Sequence, residues 1–155
     1  MEREVVREFR DAAYAMTANA LSPEEQLFVA QSSVIRQIAA SGESCVILGR
    51  CSDYVLYSDP NCFRIFVHAR PDVRTKRVMA VYGLAEDEAR RQVENTDRAR
   101  AQYYKRYTGR EYGQQIYYHL GLDSGLLGTE ESVETIINII KRWCNVRGTH
   151  PLYML

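Results

Sequence analysis

The sequence predicts an α/β protein with a mostly parallel sheet, on three observations. Segments with a helical apolar period alternate with short runs of strand character. The run Cys45-Val46-Ile47-Leu48 is apolar without a break, which is how a strand buried on both faces reads and which favours parallel pairing. Polar residues stand directly after the strand-like runs, at Gly49-Arg50, His68-Ala69-Arg70 and Asp123-Ser124. In a parallel sheet such ends converge on one edge, where ligands sit. A chain of 155 residues is one domain by length, large enough to bury a core. Residues 1–148 are expected to form it, with 149–155 as a C-terminal tail.

Residues 2–20 carry Val5, Val6, Phe9, Ala12, Ala13 and Met16 at helical spacing and predict an amphipathic helix. Ser22 then reads as an N-cap, with Pro23 at the first helical position, Glu24 next and Gln26 read as the third. That helix ends near Ser41-Gly42. Cys45–Leu48 is the first strand, with Cys45 as a buried small hydrophobe. Residues 63–69 form the second, after the turn Ser58-Asp59-Pro60-Asn61. Pro71 opens the next helix and Asp72 complements its dipole; Tyr82-Gly83-Leu84 breaks it. A long helix follows over roughly 85–108, with Arg90–Glu94 and Glu94–Arg98 as i,i+4 pairs. Thr108-Gly109 closes it. Residues 116–123 alternate as the third strand, and 125–128 read as a loop. Thr129 caps a last helix with an apolar stripe through Val133, Ile136, Ile137 and Ile140.

Formal net charge is zero, with twenty basic and twenty acidic residues. The molecule as a whole is therefore no polybasic nucleic-acid or membrane binder, and any anion site must come from local clustering. No apolar run reaches the roughly 18 residues of a membrane span. The four cysteines form no C-x-x-C pair and read as reduced thiols; with no signal peptide recognisable, the expected location is cytoplasmic. No zinc pattern is present.

Charge does cluster between Arg70 and Arg110. Eleven of the twenty basic residues lie there, against six acidic ones. Arg70, Arg74 and Arg77 can share a helix face, and so can Asp97, Arg100, Tyr104 and Tyr107. With Arg50, Arg98 and Lys105 they surround the expected strand-end edge. Guanidinium groups bind phosphate oxygens in pairs, and phosphoryl chemistry needs mainly positioning and neutralisation of charge. The residues thus point to a site for a phosphorylated small molecule, against the plainer reading of a solvated, salt-bridged helical hairpin. Tyr103, Tyr104 and Tyr107 also admit a third reading, stacking of RNA bases, which neutral charge disfavours.

Three runs carry a resemblance: CVILGRCSDYVL, FVHARPDVRTKRV and TDRARAQYYKRYTG. In this order and spacing, over about residues 25–140, they resemble the cytidylate kinase-like family of P-loop nucleoside monophosphate kinases. The resemblance implies a three-layer αβα fold with a mostly parallel sheet, truncated here at its first strands, and a helical lid over about 71–110. It implies phosphoryl transfer from ATP with Mg2+ to a pyrimidine nucleotide. Arg50 matches a residue holding the acceptor nucleotide, and Arg74 and Arg77 match arginines touching phosphates. Asp97 faces the acceptor base or sugar, Arg100 reaches its phosphate, and Arg98 closes over the donor. Asp123 and Ser124 lie beside the donor adenine.

The chain departs from the family in two places. Cytidylate kinases usually carry Asp after Gly-Arg, where this chain has Cys51. The family opens with a strand and a glycine-rich phosphate loop, and here no glycine precedes Gly42. The glycines at 121–128 lack the accompanying Lys and Ser/Thr and read as a strand-to-helix turn. In that fold's strand order the missing strand lies between 45–48 and 63–69. The expectation is therefore that those two strands pair directly or that another chain fills the gap, with homo-oligomers forming through exposed sheet edges. The alternative to a kinase is a catalytically inactive nucleotide- or protein-binding module.

Overall fold

In the computed structural model, residues 21–148 are described; the expected helix at 2–20 and the tail at 149–155 lie outside them. Helix α1 (Pro23–Ala40) starts as the sequence chemistry dictates. Ser22 Oγ accepts from Glu25 N–H at 3.3 Å, and the Glu25 carboxylate accepts from Ser22 N–H at 2.8 Å. This is a complete capping box, with Glu25 rather than Gln26 at the third position. Helix α2 (Ser52–Val55) is one turn, strand β1 is Ile65–His68, and helix α3 is Pro71–Tyr82. Helix α4 (Glu86–Thr108) follows, then a 3-10 turn at Gln115–Tyr117 and strand β2 (Leu120–Asp123). Helices α5 (Ser124–Leu127) and α6 (Thr129–Arg147) complete the described chain.

The described residues thus form an α/β structure, mostly helical, with one small sheet. Strands β1 and β2 pair in parallel, Ile65 against Leu120 through His68 against Asp123. Both therefore end at the same edge. Helices α3 and α4 lie against each other over that edge. Three side-chain links hold α4 in place. Tyr104 donates to Asp53 of α2 at 2.6 Å, Phe28 of α1 stacks on Tyr107 at 4.4 Å, and Val93 and Ala89 are buried. Phe63 packs on Trp143 at 5.2 Å and joins the entrance of β1 to α6.

Several sequence expectations are corrected. Residues 45–48 form no strand and, among the described residues, have no ladder partner; β1 pairs with β2 instead. The expected direct pairing of 45–48 with 63–69 is therefore absent among the described residues. Val46 and Leu48 are 67% and 86% exposed, and Cys45 is exposed rather than buried. A continuous apolar run acquires strand geometry only when neighbouring strands take up its backbone groups. The third strand is shorter than expected, because 115–117 tighten into the 3-10 turn. Residues 124–127 are helical rather than a loop, and Gly128, not Thr129, is the N-cap of α6. Arg90 bonds back to Glu86 at 3.2 Å instead of forward to Glu94, putting the acid on the N-terminal side as the helix dipole prefers.

Candidate functional site

The parallel register brings His68-Ala69 and Ser124-Gly125 side by side, and Ser124 Oγ donates to His68 O at 3.1 Å. A cavity of about 430 Å³ opens directly above them. That is within the size range of small-molecule sites. Its walls come from α3 and α4. From α4 they are Gln92, Thr96 and Arg100, an i, i+4, i+8 stripe; from α3 they are Arg74, Arg77 and Tyr82. Of the sequence-predicted residues, Arg74, Arg77, Arg100 and Ser124 line this cavity together.

The cationic groups differ in state. Arg74 is fully engaged. Its Nη1 and Nη2 donate to the two oxygens of Asp97 at 2.6 and 2.7 Å, and its Nε donates to Ala69 O at 2.9 Å. Donating these bonds to Asp97 pushes the Arg74 guanidinium further above its ordinary range, so it is charged at every working pH. Arg77 and Arg100 are exposed and, among the described residues, form no ion pair with a carboxylate. Tyr112 stands close by, its ring edge-on to Phe66 and Tyr104. Burial raises its hydroxyl pKa while Arg100 opposes the rise.

The remaining predicted residues lie elsewhere. Arg50 lines a separate shallow apolar groove with Val34, Ile35 and Ile47. Gly49, Arg50 and Cys51 there all take positive φ, at 69°, 55° and 55°. Two of them are non-glycine residues in the left-handed region, a costly backbone held by what surrounds it. Cys51 is buried, and burial with Asp53 nearby pushes its thiol up to about 11, so it is a neutral thiol at pH 7. Arg98 is exposed and lies two positions from both Thr96 and Arg100, about 200° round the helix from each, so it is off the cavity. Asp123 uses its carboxylate to accept from Gly125 N–H at 2.9 Å, ordering the turn into α5. Arg70 is paired with Asp72 and is also off the cavity.

Sequence reasoning did not single out Gln92, Thr96, Tyr82 or Tyr112. The 92–96–100 spacing was the available signal for the first two, since residues four apart share a helix face. Nothing local marks Tyr112, which follows the turn after α4 and packs beside the site on Phe66 and Tyr104.

Chemically, the cavity offers two free guanidinium groups, a third held by a carboxylate, strand-end backbone, and an apolar wall from Val73, Val78 and Val93. That combination suits an anion attached to a less polar body. A profile of the cytidylate kinase-like family matches residues 2–126. Among solved structures, the crystal structure of an uncharacterized protein from Eubacterium ventriosum is similar, with 28% sequence identity and a TM-score of 0.68. The likeness covers 79% of this chain and 69% of that one. No curated protein matches.

Proposed function

This chain belongs to the cytidylate kinase-like family, and on that premise we propose that its cavity seats the phosphate of a pyrimidine nucleoside monophosphate, as the acceptor half of a phosphoryl-transfer site. The observation that carries the reading is the pair of uncommitted guanidinium groups, Arg77 and Arg100, facing one cavity at the carboxyl ends of β1 and β2. A dianionic phosphate between them meets two charge-assisted donors, each worth about 1.5–3 kcal/mol. The valine wall and Tyr82 cover the sugar and base. Arg50, Arg98 and Asp123 keep their family-implied roles as part of the proposal, while Ser124, on the wall of this cavity, is read at the border between the acceptor and donor sides. For Arg50, in the turn before α2, and Arg98, on the outer face of α4, those roles require a rearrangement that brings them to the ligand, since neither lines this cavity. The parent three-layer P-loop architecture, with a donor layer beyond β1, belongs to the same reading.

In that family ATP with Mg2+ supplies the transferred phosphoryl group. Among the described residues, no three His, Cys, Asp or Glu side chains gather to hold a metal, and Asp123 is committed to Gly125. No glycine precedes Gly42, so no glycine-rich cradle for donor phosphates is offered in the sequence. The reading rests on the acceptor side. The second reading, nucleotide binding without transfer, is separated from the first by experiment.

Calorimetry with CMP tests the acceptor site. Millimolar or tighter binding is expected, weakened roughly tenfold or more by Arg77→Ala or Arg100→Ala. Absence of binding at millimolar CMP overturns the site. Phosphoryl transfer from ATP by the pure chain, lost in Arg100→Ala, would eliminate the non-catalytic reading.

A further inference from the structure

The Arg74–Asp97 contact has a geometry that bears on how the cavity is filled. Two parallel N–H groups of one guanidinium meet two oxygens of one anion. That is the arrangement in which a guanidinium takes a phosphate. Arg74 lines the cavity together with Arg77 and Arg100, and Asp97 holds it from just outside the lining. We propose that the Asp97 carboxylate is a built-in occupant of the phosphate seat on Arg74, which an incoming phosphate must displace, so that Asp97 sets the affinity and selectivity of the site by competition. The inference rests on reading the cavity as a phosphate site.

Three observations support competition over a purely structural role. First, Arg74 keeps its orientation without Asp97, because its Nε is held by Ala69 O at the end of β1. Removing the carboxylate leaves an aimed and empty fork. Second, the pair is partly solvated, with Arg74 and Asp97 side chains 30% and 40% exposed. A half-exposed ion pair is held only weakly against water, and a dianion carries twice the charge of the carboxylate. Third, two further cations face the same cavity with no carboxylate of their own among the described residues. They favour the dianion and give Asp97 nothing. A ligand with a single negative charge lacks this advantage, so the device selects phosphate esters over carboxylates. Once displaced, Asp97 is one helical turn from Arg100 and free to accept from a sugar hydroxyl.

The test compares the full chain with Asp97→Asn, Arg74→Ala and the double variant. CMP and inorganic pyrophosphate are titrated by calorimetry, and melting temperatures are recorded. Asp97→Asn is expected to melt lower, because an ion pair between α3 and α4 is lost, and yet to bind pyrophosphate roughly three- to tenfold more tightly. The gain disappears in Arg74→Ala/Asp97→Asn. A structural role alone lowers melting and binding together, so a weaker or unchanged affinity in Asp97→Asn, with CMP binding intact in the natural chain, overturns the inference and spares the acceptor site. A gain that survives loss of Arg74 overturns it as well. If no form binds either anion, the acceptor reading falls and this inference with it. Should Asp97→Asn not fold, the guanidinium NMR signals of Arg74 in the natural chain decide. Pyrophosphate at saturation shifts them if Asp97 is displaced, and unchanged signals refute displacement.

Discussion

His119 ties the start of β1 to the start of β2. Its Nδ1 accepts from the backbone N–H of Arg64 at 3.0 Å, and its ring packs on Phe63 at 5.2 Å. Burial, then Arg64, then Arg147 lower its pKa below the usual 6.5. The sign follows directly. As pH falls through about 6.5, the unfolded chain takes up its proton first. The stability His119 contributes is present above that pH and is lost as pH falls toward its folded value. Urea unfolding at pH 7.5 and 5.5 is expected to show lower stability in acid, with a shallower dependence in His119→Gln. A second residue-scale feature was invisible in the composition. Arg110 lies over the rings of Tyr54, Tyr57 and Tyr117 at 4.9, 4.3 and 4.2 Å. The high tyrosine count partly serves to box this cation, at about 0.5–2 kcal/mol per contact. The Arg74–Asp97 pair is likewise a tertiary fact. The two residues are 23 positions apart, and the sequence assigned them separate partners on a ligand rather than each other.

Helices α3 and α4 were legible almost to the residue. Pro71 and the acids Glu86, Asp87 and Glu88 mark their starts, and Gly83 and Gly109 their ends. Gly109 sits at φ 69° with open space where a Cβ would project. Gly109→Ala therefore tests backbone conformation without a clash. A loss of about 1 kcal/mol in chemical unfolding is expected, with nucleotide affinity unchanged. The element that misled is 45–48. Its apolar pattern is that of a buried strand, but pattern records a preference for burial and not the presence of a partner. Strand pairing is long-range, and a run of four residues carries no information about which strand lies beside it.

At the scale of the whole molecule, charge and topology separate cleanly. The chain is formally neutral, so its long-range field is weak and nucleotide attraction comes from the arginines of one cavity. Raising NaCl from 0.05 to 0.5 M is expected to weaken CMP binding roughly three- to tenfold, because those arginines are solvated and screened. Melting temperature should change little over the same range, which differential scanning calorimetry can check. The sheet is small, and β1 has one edge with no partner among the described residues. No helix among those residues is long and apolar enough to cross a membrane.

By itself, the sequence determined the long helices α1, α3, α4 and α6, the N-cap of α1, the glycine ends of α3 and α4, the α/β class and the family, because each depends on periodicity, turn chemistry or an ordered set of motifs within short reach. It also named Arg74, Arg77 and Arg100, the arginines of the cavity wall, and Asp97 beside them, since spacing on a helix is a local property. Only the tertiary structure decided which of them face one space. The parallel register set His68-Ala69 beside Ser124-Gly125, and the packing of α3 on α4 joined Arg74 to Asp97 while leaving Arg77 and Arg100 uncommitted. It also placed Arg50 and Arg98 off that wall. Charges that are alike in sequence differ in the fold because each pairs with whatever packing brings within about 3 Å, and no local pattern encodes that distance.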